Sequence, residues 1–276
     1  HRLTFAPDGL GGYITPATRY GVLTKTTGGY RYREKNGMIY DFDDAGKLVE
    51  IRDRNHNSLT LSYDGGGLLT AVIDTDAPAR RLSFTYSGDH VMALADFTGR
   101  TWSYAYTGDD LTQVTSPSDA ETPAAIVQYA YYPDTDAARG GLLQQIVEPD
   151  GGRRTYEYYA NRRARQVTDP QGFTETLVYD LFRQRTVYLD QGGRATFYDY
   201  DDWGQVTHMI HPDGARESFV WHDGLMTSWT DPLGNTETYQ YDTLGNLTRL
   251  TDRAGVAAVY AYEPTYSQMT QADGPE

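Results

Sequence analysis

The sequence predicts an all-β fold of tandem β-hairpin repeats, and three features predict it. Aromatic residues make up 13% of the chain, and 24 of its 276 residues are tyrosine. Turn formers run throughout, with 28 glycines and 12 prolines. An aromatic-x-aromatic pair also returns at a nearly constant interval. Tyrosine suits a pleated, half-covered surface because its ring packs while its hydroxyl keeps a polar partner. Many tyrosines among many turn formers therefore mean short strands and frequent reversals.

The repeat justifies each element in order. The anchor, the aromatic that closes each pair, falls at Phe42, Tyr63, Tyr86, Tyr106, Tyr131, Tyr158, Tyr179, Tyr200, Trp221, Tyr241 and Tyr262. The spacings are 21, 23, 20, 25, 27, 21, 21, 21, 20 and 21 residues. Two positions before each anchor stands another apolar or aromatic residue: Tyr40, Leu61, Phe84, Tyr104, Tyr129, Tyr156, Leu177, Tyr198, Phe219, Tyr239 and Tyr260. Self-similarity at such a period is the mark of a repeat architecture.

The interior repeats as well. After the anchor comes a short turn, as in Asp43-Asp44-Ala45-Gly46 or Asp242-Thr243-Leu244-Gly245. An apolar residue often follows six places after the anchor (Leu48, Leu69, Val206, Leu247). A second turn signal then appears, as in Asp169-Pro170-Gln171-Gly172, Asp231-Pro232-Leu233-Gly234 and Asp252-Arg253-Ala254-Gly255. An alternating stretch such as Thr236-Glu237-Thr238-Tyr239-Gln240-Tyr241 leads to the next anchor. Two turns per repeat leave two strands of about six residues. Period-two alternation puts Tyr239 and Tyr241 on one face, where successive hairpins would stack their rings in cross-strand ladders. One hairpin cannot cover such a face, so the array is expected to fold as one continuous curved antiparallel strip. An anchor whose ring is fully buried would cost about 3–5 kcal/mol on truncation to Ala.

The long spacings bracket Tyr131 and coincide with Ser116–Pro123 and Asp134–Gly140, read as longer exposed turns. Residues 1–37 fit the repeat poorly and are expected to form an N-terminal cap or lead-in, although Tyr30-Arg31-Tyr32, Asn36-Gly37 and Met38 to Phe42 read as a hairpin. Residues 38–276 are expected to form a single repeat-array domain.

Composition narrows the function. The net charge is −14, with 24 basic and 38 acidic residues. A field of that sign opposes docking on nucleic-acid phosphates or anionic lipid, so neither partner is expected. Lysine occurs only at Lys25, Lys35 and Lys47, an arginine bias that reads as genomic base composition. No cysteine is present, which excludes a disulfide framework and thiolate chemistry. No apolar run reaches membrane-span length, so no membrane insertion by this segment is expected. The opening His1-Arg2-Leu3-Thr4-Phe5 lacks both an initiator methionine and an apolar leader, and reads as a cut from a longer chain.

Tyr179-Asp180, Tyr241-Asp242-Thr243-Leu244-Gly245-Asn246-Leu247 and the Asp-Pro-x-Gly turns resemble the RHS/YD repeats. These occur in bacterial Rhs polymorphic toxins, the shell-forming subunits of insecticidal Tc toxins, and animal teneurins. The resemblance covers about residues 38–264. It implies a sheet strip that forms part of a hollow shell around a C-terminal toxic segment; the hollow comes from the family and not from the spacing. Shells of this kind carry more repeats and an aspartate-based self-cleaving core. Asp231-Pro232-Leu233-Gly234 is similar to that core, but stands in an ordinary repeat with Tyr239 and Tyr241 in register, and is read as a turn without autoproteolysis.

Candidate chemistry is sparse. His208 and His211 would face opposite sides of a strand, and His211-Pro212-Asp213-Gly214 fills a turn slot, so no metal is expected. Asp199-x-Asp201-Asp202-x-Gly204 is similar to a calcium loop, but Ile210 stands where the closing carboxylate belongs. Nucleophile, phosphate-loop and zinc-protease motifs are missing, and no carboxylate pair stands out. Neither an enzyme nor a cofactor is expected. Trp203 and Trp229 lie outside the repeat register and are the candidate ligand-facing aromatics of a carbohydrate- or protein-binding surface. The main expectation is a non-enzymatic scaffold in an exported bacterial protein. Its partners would be further repeats and a C-terminal toxin or effector segment of the same parent chain, with a glycan or cell-surface protein as the alternative.

Overall fold

A computed structural model describes residues 5–9, 12–15, 20–119 and 121–274. The fold begins at its turns. At Asp242 the backbone N–H donates to the Asn246 carbonyl (3.0 Å) and the Gly245 N–H donates back to the Asp242 carbonyl (3.0 Å). The carboxylate Oδ1 accepts from the N–H groups of Leu244 and Asn246, both at 2.9 Å. Gly245 takes φ +66°, the left-handed conformation glycine adopts without penalty. The same bonds recur at Asp53, Asp64, Asp96, Asp169, Asp190, Asp201, Asp231 and Asp252. An Asp side chain thus closes each of these reversals on its own backbone.

Between turns the chain is extended, and the described strands are antiparallel to their neighbours in sequence, the predicted class. At most anchors whose pairing is described the register slips by one residue where the anchor meets the next strand, although Tyr179 opposes Thr186 without a slip. Ala105 opposes Gln113 while Tyr106 opposes Leu111. The same slip occurs at Phe42, Tyr131, Tyr158, Trp221, Tyr241 and Tyr262. Each is a β-bulge, which increases local twist and re-aims the side chain beside it.

By its contacts the chain divides into two units: residues 1–61, 74–78 and 199–276, and residues 62–73 and 79–198. In the first, Val22–Thr26, Gly29–Arg33, Ile39–Asp43 and Leu48–Arg52 pair in succession, so part of the N-terminal region already belongs to the sheet. A two-stranded ribbon, Ala6–Pro7 with Tyr13–Ile14, sets Phe5 and Tyr13 against Tyr32 and Tyr30. The strands from Val206–Ile210 to Met269–Asp273 form the later hairpins of this unit. Its two sequence-distant parts meet at turns: the Lys35 ammonium donates to Leu244 O (3.1 Å), Gly245 O (3.3 Å) and Asn246 Oδ1 (3.0 Å).

The second unit includes the hairpins from Arg81–Ser87 to Arg185–Leu189 and both insertions. The insertion after Tyr131 is more ordered than an exposed turn. Tyr132 is the one buried large apolar side chain among the described residues, at 8% exposure. Arg139 lies 4.3 Å over its ring and is held by Asp136 at 2.6 Å.

No large side chain among the described residues is fully buried, and all eleven anchors are half-buried. The predicted alternation is nevertheless present, since Thr101–Thr107, Ile126–Tyr131 and Thr236–Tyr241 each alternate between open and partly covered positions. The cross-strand neighbours of the paired aromatics are mostly aliphatic: Tyr104 opposes Val114, Tyr156 opposes Val167 and Tyr239 opposes Leu250. The ladders are thus chiefly aromatic on aliphatic, where ring on ring was expected. Half-burial also lowers the cost expected for an anchor truncation below the full-burial figure.

Candidate functional site

Five of the anchors also hydrogen-bond back to the strand before them. The phenols of Tyr86, Tyr131, Tyr158 and Tyr241 donate to the backbone carbonyls of Leu69, Leu111, Leu143 and Met226, at 2.8–2.9 Å. The Trp221 indole N–H donates to Val206 O at 2.7 Å. Each acceptor is the first or second residue of the last strand of the preceding hairpin, so the anchor ties one repeat to the one before. Burial pushes the phenols of Tyr131, Tyr158 and Tyr241 up from their ordinary value, which keeps them protonated donors.

Two further recurring roles escaped the sequence reading. Thr70, Thr112, Thr207, Thr227 and Thr248 lie opposite the anchors, the second, fourth and fifth of them at bulges, and their hydroxyls donate to the carbonyl of the residue before the anchor, at 3.1–3.3 Å. Its sequence signal was a threonine directly after the apolar residue that follows the turn. The doublets Tyr131-Tyr132 and Tyr158-Tyr159 hold the second role. Tyr132 and Tyr159 donate forward to Tyr156 O and Leu177 O, both at 2.9 Å, while the anchors before them reach back.

The two off-register tryptophans do not form one platform. Trp229 is half-buried beside the Asp231 turn, at the strand end opposite to the turn that carries Trp203. Its indole N–H donates to Glu217 Oε2 (2.7 Å), and the other oxygen of Glu217 meets His211 Nε2 (2.6 Å). Arg253 covers its ring at 5.2 Å and pairs with Asp231 (3.3 Å) and Glu237 (3.2 Å). Tyr239 donates to Glu237 (2.9 Å); burial first, and that bond second, push its phenol up to about 12.

Trp203 is different. It tips the Asp201–Gln205 turn at 88% exposure and borders a groove of about 880 Å³. The groove is lined by Asp201, Asp202, Trp203, Gln205, Trp221, His222, Asp223 and Gly224.

The remaining candidates are engaged locally. His208 Nδ1 lies 3.2 Å from the Thr207 hydroxyl, and His211 belongs to the Glu217 network. Asp201 accepts from Trp203, from the Gln205 N–H and from the Gln205 amide, all at 2.9 Å. Among the described residues no group of three His, Asp or Glu side chains is placed to hold a metal ion. The Asp231 carboxylate is 7% exposed and accepts from Leu233, Asn235 and Arg253. Chiefly through the Asn235 amide, and against a burial effect of opposite sign, it is held below the usual carboxylate range. That carboxylate closes a turn. His1 lies outside the described residues.

Comparison with known proteins agrees with this architecture. The family described as RHS Repeat matches residues 42–79 and 221–257. The probable deoxyribonuclease RhsB of Dickeya dadantii (strain 3937) is 27% identical over 162 residues, which is 49% of this chain and 11% of that protein. The Tc holotoxin pore of Photorhabdus luminescens aligns over 92% of this chain and 18% of its own, with a TM-score of 0.52 and 12% identity. A TcdB2-TccC3-TEV crystal structure aligns over 98% of this chain and 19% of its own, with a TM-score of 0.53 and 12% identity. At that identity the likeness is one of fold, and the chain spans under a fifth of each of these relatives.

Proposed function

We propose, from the premise that this chain is built of RHS repeats, that it is a wall segment of a protein shell enclosing or presenting a downstream toxin or effector segment of its parent. The observation that carries this reading is how the repeat spends its polar side chains. Anchors, bulge threonines and turn aspartates bond mainly to backbone of their own or the neighbouring hairpin. Such a wall acts by topology and needs no chemistry of its own. The RHS match and the Tc-toxin fold likeness support the same reading, as does the length of the relatives, which leaves room for further repeats and a cargo. Export from a bacterial cell belongs to this proposal too, by analogy with those relatives.

Limited proteolysis of the parent protein, beside its downstream segment expressed alone, tests the proposal. Enclosure predicts that the downstream segment survives within the parent and is digested alone. Equal digestion in both would leave an open strip, and surface recognition would become the better account.

A further inference from the structure

Two turns of this chain share one frame, and only one of them is seen filled. At Asp242–Asn246 and Asp201–Gln205 the hydrogen bonds correspond one for one. The first N–H donates to the fifth carbonyl and the fourth N–H to the first carbonyl. The Asp carboxylate accepts from the third and fifth N–H groups and from the carboxamide at the fifth position. Gly245 and Gly204 take φ +66° and +78°. Onto the first turn docks Lys35, whose ammonium donates to Leu244 O, Gly245 O and Asn246 Oδ1 and lies 5.2 Å over the Tyr20 ring. The corresponding acceptors on the second turn are Trp203 O, Gly204 O and Gln205 Oε1. Among the described residues no cation is hydrogen-bonded to them.

The surroundings of the second turn suit the same guest. Trp203 supplies an indole at 88% exposure, and an exposed aromatic face attracts an ammonium. Asp202 and Asp223 line the same groove and add negative charge. The mode of docking also repeats along the chain. Lys35 belongs to the Glu34–Gly37 turn, and Gly37 backs against Tyr266. On the following turn of that series, the Arg54 guanidinium lies against the side-chain amide of Gln268. Consecutive basic turns therefore meet consecutive post-anchor turns. The Trp203 groove spans the two post-anchor turns that precede Asp242, at residues 201–205 and 222–224.

We propose that the Trp203 groove is a seat for a lysine carried on the β-turn of a further RHS hairpin of the parent protein, bound as Lys35 is bound by Asp242–Asn246. The proposal deepens the shell reading, because it supplies a point at which one stretch of wall fastens to another.

The test is a titration of the 276-residue chain labelled with ¹⁵N at its tryptophans, whose four indole signals are few enough to assign through Trp203→Phe. The probe is a disulfide-closed hairpin peptide copying residues 30–42, which carries Lys35 on its turn. The expected result is a saturable shift of the Trp203 signal, weakened at least about tenfold when the peptide carries Lys35→Gln. Trp203→Ala in the chain should abolish binding and leave the unfolding midpoint unchanged. No shift at millimolar peptide would overturn the proposal. An equal shift with the Gln peptide would also overturn it, by showing that the contact is not cationic. Cello-oligosaccharide moving the same signal at lower concentration would assign the groove to glycan instead. None of these results bears on protease protection of the cargo, so the shell reading and the lysine seat can fail separately.

Discussion

The turns Asp53–Asn57 and Asp242–Asn246 make the same backbone and carboxylate hydrogen bonds around different fourth residues. One has His56 at φ +72°, the other Gly245 at φ +66°. The carboxylate therefore sets the turn, and glycine is not needed to form it. What sets Gly245 apart is its neighbour. A Cβ there would lie 2.3 Å from the Tyr20 ring, whereas His56 projects into solvent. Gly245→Ala should be the most damaging change at either turn, at about 2–3 kcal/mol, because backbone strain adds to displacement of the ring that caps Lys35. Chemical denaturation beside Lys35→Gln measures it. A loss no larger than strain alone, about 1 kcal/mol, would show that Tyr20 does not pack there in solution.

The opposite change sharpens the comparison. His56→Gly should stabilise by about 0.5–1 kcal/mol, since it relieves a left-handed conformation without removing a side-chain bond. Arg162, at φ +66° in the other unit, should gain less on the same substitution, because its guanidinium donates to Gly140 O at 3.2 Å. Equal gains at the two sites in thermal unfolding would mean that the Arg162 bond contributes nothing.

These turns also show what local pattern encodes. The Asp-x-x-Gly spacing and the Tyr-x-Tyr pair announced turns, strands and class, because both depend on residues within one repeat. The bulges beside most anchors were not legible, since they arise from twist between two strands, although Thr248 after Leu247 carried the trace of one. The contact of Lys35 with Asn246 joins residues 211 apart in sequence, and no local pattern specifies it. Trp229 looked ligand-facing because it broke register; cross-strand geometry instead brings Glu217 and Arg253 to it. Full burial of the anchors would require a second layer over the sheet. Tyr132, covered by its own insertion, is the nearest case among the described residues.

The smallest effect concerns protons. Asp53 is held below its ordinary value first by the Asn57 amide, and Asp242 by the Asn246 backbone and amide bonds against an opposing burial effect. Asp96, bonded by the Thr98 hydroxyl and by Arg100, is lowered to about 2. A carboxylate whose folded value lies below its unfolded value contributes stability that is present above the unfolded value, about 3.9, and lost as pH falls through the folded one. The melting temperature should therefore stay level from neutral pH to about pH 5 and fall between about pH 4 and pH 2. Asp96→Asn should melt lower at neutral pH, because the amide oxygen can keep the Thr98 and Arg100 N–H bonds while the amide NH2 replaces the oxygen that accepts from the Arg100 guanidinium, and should lose less than the parent on acidification. Parallel curves would mean that Asp96 contributes no proton-linked stability, and that its turn is held by backbone geometry alone.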